Sequence, residues 1–160
     1  PNHIDLLAKS IERHYSKLDW TPDLLVTSFH GLPMEYFEKG DPYHCHCAKT
    51  ARMLRERLGW EKEKLLMVFQ SRFGPKEWLQ PYADETVKSL PAKGIRKIAV
   101  ISPGFVADCV ETLDELAIEL AHDFHAAGGE NFTYIPCLND DDGHAAFIAN
   151  LATRELSGWI

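Results

Sequence analysis

The sequence is short of the cysteine pairs that build small metal knuckles. Its four cysteines, at positions 45, 47, 109 and 137, never occur as CxxC, which excludes the usual structural zinc pattern. No secretory leader opens the chain, so reduced thiols in the cytoplasm are the expectation. Long apolar runs are also missing. The longest, LLMVF at 65–69 and IAVI at 98–101, fall well below the roughly 20 residues of a membrane-spanning helix. Basic charge is scarce: 17 Lys and Arg stand against 24 Asp and Glu, a formal net charge of −7. That balance argues against a nucleic-acid surface and suits metal ions or cationic partners. Neither GxGxxG nor GxxxxGK followed by Ser or Thr occurs, so no dinucleotide or P-loop phosphate site has a motif behind it. An initiator Met is absent too. PNHIDLLAKSIERHY is in helical phase from the start and reads as a piece of something longer.

What remains is 160 residues, 45% hydrophobic and 26% charged, enough for a single domain with a real core. Ile4, Leu7, Ala8, Ile11, Tyr15 and Leu18 recur at helical spacing, which predicts one helix over the first twenty residues, capped by Asn2 and ended by Thr21-Pro22. Short apolar runs bounded by turn residues then predict buried strands at 23–29, 64–69, 97–102 and 132–136. Helical patterns fill the gaps, at 47–58, 82–92, 111–127 with Gly128-Gly129 as its stop, and 143–156. Strands alternating with helices give right-handed βαβ units. The expected fold class is therefore α/β, a three-layer αβα domain on a four-stranded parallel doubly wound sheet, with a leading helix at 1–20 and a βαβα core at 21–160.

Ligands in such sheets sit outside the carboxyl ends of the strands, where strand order reverses. The segments at those ends are His30-Gly31-Leu32-Pro33, Gln70 to Pro75, Pro103 to Glu111 and Cys137 to Asp140. A flavodoxin-like order, 2-1-3-4, sets His30 opposite Glu111. Glu111, Glu115 and Glu119 repeat every fourth residue on one helix face with His122, while Leu113, Ala117, Leu120 and Phe124 lie on the other. Like charges at that spacing cost a helix about 0.2–0.5 kcal/mol per pair. The ladder is either an ordinary solvated face or a row with a cation or basic partner. A fainter echo links PNHIDLLAKSI with DGHAAFIANLA, as the matching ends of duplicated halves would be linked.

SFHGLP (28–33), GDPYHCHC (40–47), FQSRFGPKEWLQP (69–81), PGFVADCVETLDELAIE (103–119) and YIPCLND (134–140) closely resemble, in that order, the C-terminal half of ferrochelatase. Members of that family insert ferrous iron into protoporphyrin IX to give protohaem. The resemblance implies one of two similar αβα domains, with the macrocycle in the cleft between them and the N-terminal half missing from this chain. It also implies porphyrin and Fe²⁺ as substrates, no organic cofactor, no nucleic acid, and a cytoplasmic site of action with peripheral contact at the inner membrane.

Carried over by position, His30 and Glu111 match the family's active-site histidine and glutamate. A neutral imidazole and a carboxylate suit both metal ligation and acceptance of pyrrole protons, and the division of those roles stays open. Glu115 and Glu119 match acidic positions that continue from the active site, and the metal set implied is His30, Glu111, Glu115, Glu119 and Asp108. Ala117 departs from the pattern where many relatives place another acid. Asp108 either ligates or caps the helix, and Cys109 stands where some relatives carry a histidine. Tyr43, Trp78 and Phe105 match positions near the porphyrin pocket, where aromatic faces suit a flat ligand. Gln70, Ser71 and Arg72 are expected to orient the loop or a propionate. Some members carry a 2Fe-2S cluster, which needs four thiolates; a CxC pair and two distant cysteines do not make that set within this chain. Two other readings survive, a porphyrin or divalent-metal binding module without turnover and a cobalt chelatase of the same fold.

Overall fold

The computed structural model describes residues 3–159, so the expected Asn2 cap lies outside the described residues. The chain runs α1 (His3–Tyr15), β1 (Leu24–His30), α2 (Met34–Glu38), α3 (Tyr43–Leu58), β2 (Leu65–Gln70), α4 (Ala83–Ser89), β3 (Lys97–Ile101), α5 (Val110–Leu113), a π-helical segment (Glu115–Leu120), α6 (Ala121–Ala126), β4 (Asn131–Ile135) and α7 (Asp142–Glu155). All four strands are parallel, in the order β2-β1-β3-β4, as the alternation of elements led one to expect. β1 lies between two neighbours and under helices on both faces, so LLVTSF is buried throughout.

Alternate side chains of the strands point to opposite faces. On one face Leu24, Val26, Val68, Ile98 and Val100 pack with Val87, Leu116, Leu120 and Phe124. On the other, Leu25, Ala99, Ile101 and Ile135 pack with Leu7, Ile11 and Leu54. A third cluster of Phe29, Cys47, Ala51, Phe69 and Leu79 sits at the carboxyl end of β1 and β2. It is the floor on which the site loops rest.

Element boundaries differ from expectation where local hydrogen bonding competes with the helix. α1 stops at Tyr15, and the Ser16 hydroxyl donates back to the Arg13 carbonyl at 2.9 Å. α3 begins earlier than expected because Asp41 accepts the Tyr43 N–H at 2.8 Å. Pro91 ends the regular part of α4 and leads a short 3₁₀ turn, Pro91–Lys93. The sequence reading missed α2, which follows Pro33.

The larger difference lies at 111–127. A single α-helix was expected there; the chain instead widens into π geometry, with Glu119 N–H donating to the Asp114 carbonyl five residues back at 2.9 Å. The core stripe is Thr112, Leu116, Leu120 and Phe124. Leu113, expected inside, is 51% exposed. A stripe at strict fourth-residue spacing drifts by about 40° per step in an α-helix. The wider π turn advances less per residue and removes that drift, so the buried stripe keeps facing the sheet and Glu111, Glu115 and Glu119 keep their line beside it.

Leu116 is fully buried, so Leu116→Ala should cost about 2–5 kcal/mol. Leu113→Ala should stay within about 0.5 kcal/mol. Urea denaturation of the two variants checks the phase: equal losses would contradict the π registration.

Candidate functional site

The parallel strands bring their carboxyl ends to one rim, where His30 and Gln70 are register partners at the last rungs of β1 and β2. The next residue, Gly31, donates its N–H to the Gln70 carbonyl at 2.7 Å. A Cβ on Gly31 would lie 2.8 Å from that oxygen and 3.0 Å from the Trp78 ring, so only glycine fits this close approach. The half-buried His30 has its Nδ1 2.8 Å from the Gly31 carbonyl. Tyr43 donates its hydroxyl to the His30 carbonyl at 2.9 Å, and the Phe105 ring is tilted over the imidazole with centroids 6.5 Å apart. Loop, strand end and helix α3 therefore all hold one histidine.

Gln70 ties this strand end to the acidic helix. Its buried carboxamide accepts from Ser28 Oγ at 2.7 Å, and its Nε2 donates to the Glu111 carbonyl at 2.6 Å and to Glu115 at 3.4 Å. Ser71, at a φ of 63°, turns its N–H onto Glu115 Oε1 at 2.6 Å and its hydroxyl onto Oε2. Glu115 is thus an anchor with both oxygens engaged. Glu111 differs. The Cys109 thiol donates to it, its own amide assists, and His30 lies near enough to add to the effect; together they hold its carboxyl below the usual range. Glu119, at the outer end of the row, is exposed and lines a cavity of about 250 Å³ with Arg72, Asp84, Lys88 and Asp123.

Asp108 is drawn into a separate network. Its carboxylate accepts from Asn139 Nδ2 at 2.7 Å, Tyr134 OH at 2.9 Å, Thr112 Oγ1 at 3.0 Å and Cys137 N–H at 3.4 Å. Burial pushes its pKa up, but those four donors outweigh burial and keep it below the ordinary carboxylate value.

The structure therefore brings His30, Glu111 and Phe105 together and gives other sequence-selected residues supporting positions. Tyr43 stands behind His30. Trp78 is 8% exposed and donates to the Phe73 carbonyl at 3.1 Å, which makes it a packing anchor of its loop. The Arg72 guanidinium lies 3.9 Å from the Tyr82 ring centroid and pairs with Asp84 and Glu85 at 3.1 and 2.7 Å.

Among the described residues no three His, Cys, Asp or Glu side chains converge to hold a metal. The thiols differ in exposure, with Cys45 exposed, Cys47 and Cys137 buried and Cys109 between. His44 is stacked on Phe69 with centroids 5.7 Å apart. These residues do not fit a 2Fe-2S cluster held by this chain. No helix among the described residues is long and apolar enough to cross a membrane.

Sequence reasoning missed the apolar rim beside His30 and Glu111, where Val106 and Val110 are 59% and 66% exposed and Phe73 is 77% exposed. The signal was available in the loop sequence, where Val106 and Val110 lie ahead of the helix expected at 111–127 and outside any expected strand. It also missed Asn139.

A family profile described as Ferrochelatase matches residues 1–156. The ferrochelatase of Allorhizobium ampelinum is 61% identical over 160 residues, all of this chain and 46% of that protein. Those of Rhizobium etli and Rhizobium meliloti are 58% and 57% identical and are matched over 46% and 47% of their lengths. The chain thus spans about half the length of the curated relatives it matches. In fold it is similar to the CbiX protein of Marinobacter aquaeolei VT8, named for cobalamin (vitamin B12) biosynthesis, with a TM-score of 0.52 at 10% identity, over 84% of this chain and 97% of that one.

Glu115→Gln replaces one acceptor oxygen with a donor facing Ser71, and should lower stability by about 1–3 kcal/mol in urea titration; an unchanged midpoint would remove Glu115 from its anchoring role. The thiols give a second test. Burial pushes Cys47 up to about 11 and Cys137 up to about 12 from an ordinary 9.0. The unfolded chain then loses these protons first, so the stabilisation is whole below about pH 9 and is lost as pH rises toward 12. Iodoacetamide at pH 8 should label Cys45 first and reach Cys47 and Cys137 only on unfolding, as peptide mass mapping would show.

Proposed function

This chain belongs to the ferrochelatase family, and we propose that it forms one wall of a site that inserts ferrous iron into a porphyrin, with His30 and Glu111 as the acting groups. The observation that carries this reading is the placement of His30 at the end of β1 and of Glu111 on α5 after β3, at the strand-order switch, with Phe105 over the imidazole and exposed apolar side chains nearby. A flat conjugated dianion needs such a combination, an apolar and aromatic surface for its faces and a few polar groups at its centre. The family's porphyrin would be protoporphyrin IX and the product protohaem.

Insertion forms four iron–nitrogen bonds and releases two pyrrole protons for each Fe²⁺ taken up. Glu111, kept ionised by Cys109 and His30, is suited to accept a proton or to hold the incoming cation, and His30 is suited to the complementary role. Glu119, exposed over the acidic cavity, is assigned to the approach of the hydrated cation. Glu115 anchors the row. Of the other candidate ligands, Asp108 has its carboxylate committed to four donors and is assigned to positioning.

The opposite wall of the cleft is assigned to the half of the relatives' length that this chain does not span. That reading accounts for the absence of a converging three-donor metal set among the described residues. It also favours a second state: alone, the chain binds porphyrin or metal without turning over. Action in the cytoplasm, with the apolar product leaving toward a membrane surface, belongs to the same proposal.

The test is anaerobic, absorbance-monitored metallation of a dicarboxylate porphyrin by Fe²⁺, with the chain alone and with the missing half of a relative supplied. Turnover should require both halves. His30→Ala should reduce kcat by about a hundredfold or more, whereas porphyrin binding without metallation in the reconstituted pair would replace the enzyme with a binding module.

A further inference from the structure

Glu111 projects from α5, Val110–Leu113, which leads directly into the π segment. α5 is the first turn of a helical stretch that continues through Asp114 into that segment, and the N–H groups of a first turn have no partners within the helix. The Gln70 carboxamide holds the Glu111 carbonyl from the rim. A second set of groups holds the N-terminal end of this turn from the loop after β4. Asp108 donates its N–H to Asn139 Oδ1 at 2.8 Å and accepts from Asn139 Nδ2 at 2.7 Å, a closed two-way clasp. Asp108 also accepts the Thr112 hydroxyl, and Thr112 Oγ1 in turn accepts the Cys109 N–H at 2.9 Å. The clasp thus grips both ends of the first turn of α5.

Asn139 is itself committed at every polar group. Its N–H donates to the Val106 carbonyl at 3.1 Å, and its own carbonyl accepts from His144 Nδ1 at 2.9 Å. Its φ of 47° is a left-handed conformation that Asn, Asp and Gly adopt most readily. Of these only Asn offers both a donor and an acceptor to Asp108. His144, on α7, is 4% exposed, and its Nε2 is buried with no hydrogen-bond partner among the described residues. A buried imidazole that leaves one nitrogen unpaired carries a cost, and what it gains is the single hydrogen bond that orients Asn139. We propose that Asn139, set by His144, is a positioning residue for metal insertion: its clasp on Asp108 fixes the turn that carries Glu111. The assignment rests on Glu111 being an acting group of the proposed site.

Exchanging the two side chains tests the clasp. Asn139→Asp keeps the left-handed backbone but sets two carboxylates against each other. Combining it with Asp108→Asn restores a donor opposite an acceptor and leaves an oxygen for Tyr134 and Thr112. In the reconstituted two-half protein, Asn139→Asp should lower kcat by about tenfold to a hundredfold, the scale of a misplaced catalytic group, with KM for the porphyrin little changed. The double exchange should recover most of that loss. Backbone hydrogen exchange at Thr112 and Leu113 should speed up in the single variant and return in the double.

The two readouts fail separately. Should the unsubstituted pair not metallate, the enzyme reading falls while hydrogen exchange still decides the clasp. Unchanged exchange in Asn139→Asp would overturn the positioning role. Restored exchange without restored kcat would also overturn it, because the Asp108 carboxylate would then be needed for the chemistry itself.

Discussion

The buried carboxamide of Gln70 is the interaction on which the site depends. It lies at the last rung of β2, beside His30, and its three partners belong to β1, α5 and the π segment. An amide buried at 3% exposure must satisfy both its oxygen and its NH₂, since an unpaired polar group there costs about 1–3 kcal/mol. Here the Glu111 backbone and the Glu115 carboxylate, placed over the strand end, satisfy the NH₂, and Ser28 satisfies the oxygen. The helix is therefore docked by polar groups at the rim and by Leu116, Leu120 and Phe124 deeper down. Two kinds of constraint meet on one short stretch, and the π widening is the backbone's way of meeting both.

That double demand explains why some of the molecule was legible in the sequence and some was not. Strand order, layer architecture and the rim all follow from local pattern plus the handedness of βαβ units, and these need no side-chain detail. That His30 and Glu111 reach the same rim was legible because a sheet's switch point is a topological property. Leu113 was misread because a 100° wheel presumes uniform helical pitch, and pitch here is set by tertiary docking. Trp78 turns into its own loop, Arg72 toward α4 and Asp108 toward the loop after β4, since short sequence motifs carry position and not rotamer. Asn139 gave no local sign at all. Its role exists only through residues 31 positions away.

The rim has a further consequence for a chain of this extent. Val106, Val110 and Phe73 leave apolar surface at the carboxyl end of the sheet, next to the groups best suited to chemistry. Exposed side chains scattered singly need no account, whereas several at the edge where parallel sheets usually take ligands agree with the proposed covering by a second half. A macrocycle lying across this edge would be gripped on one face only. Under half of the relatives' length is present here, and the second face of the cleft belongs to the proposed partner half.

The acidic row, finally, is three different carboxylates rather than a repeated one. Like charges in line repel most when each is bare, and here the row is discharged unevenly. Glu115 is surrounded by Ser71 and Gln70 donors; it carries its charge in a filled hydrogen-bond shell and is poorly placed to bind a passing ion tightly. Glu111 is steadied by a thiol and faces a histidine, and Glu119 is open to water. In the proposed insertion site, a cation moving along such a row would meet a weak outer site, then a committed spacer, then the carboxylate assigned to the inner end. Transfer needs sites that release as well as bind, and a row of three equal, free carboxylates would trap the ion midway. On that proposal, occupying the central glutamate would direct affinity toward the end where the ring would lie.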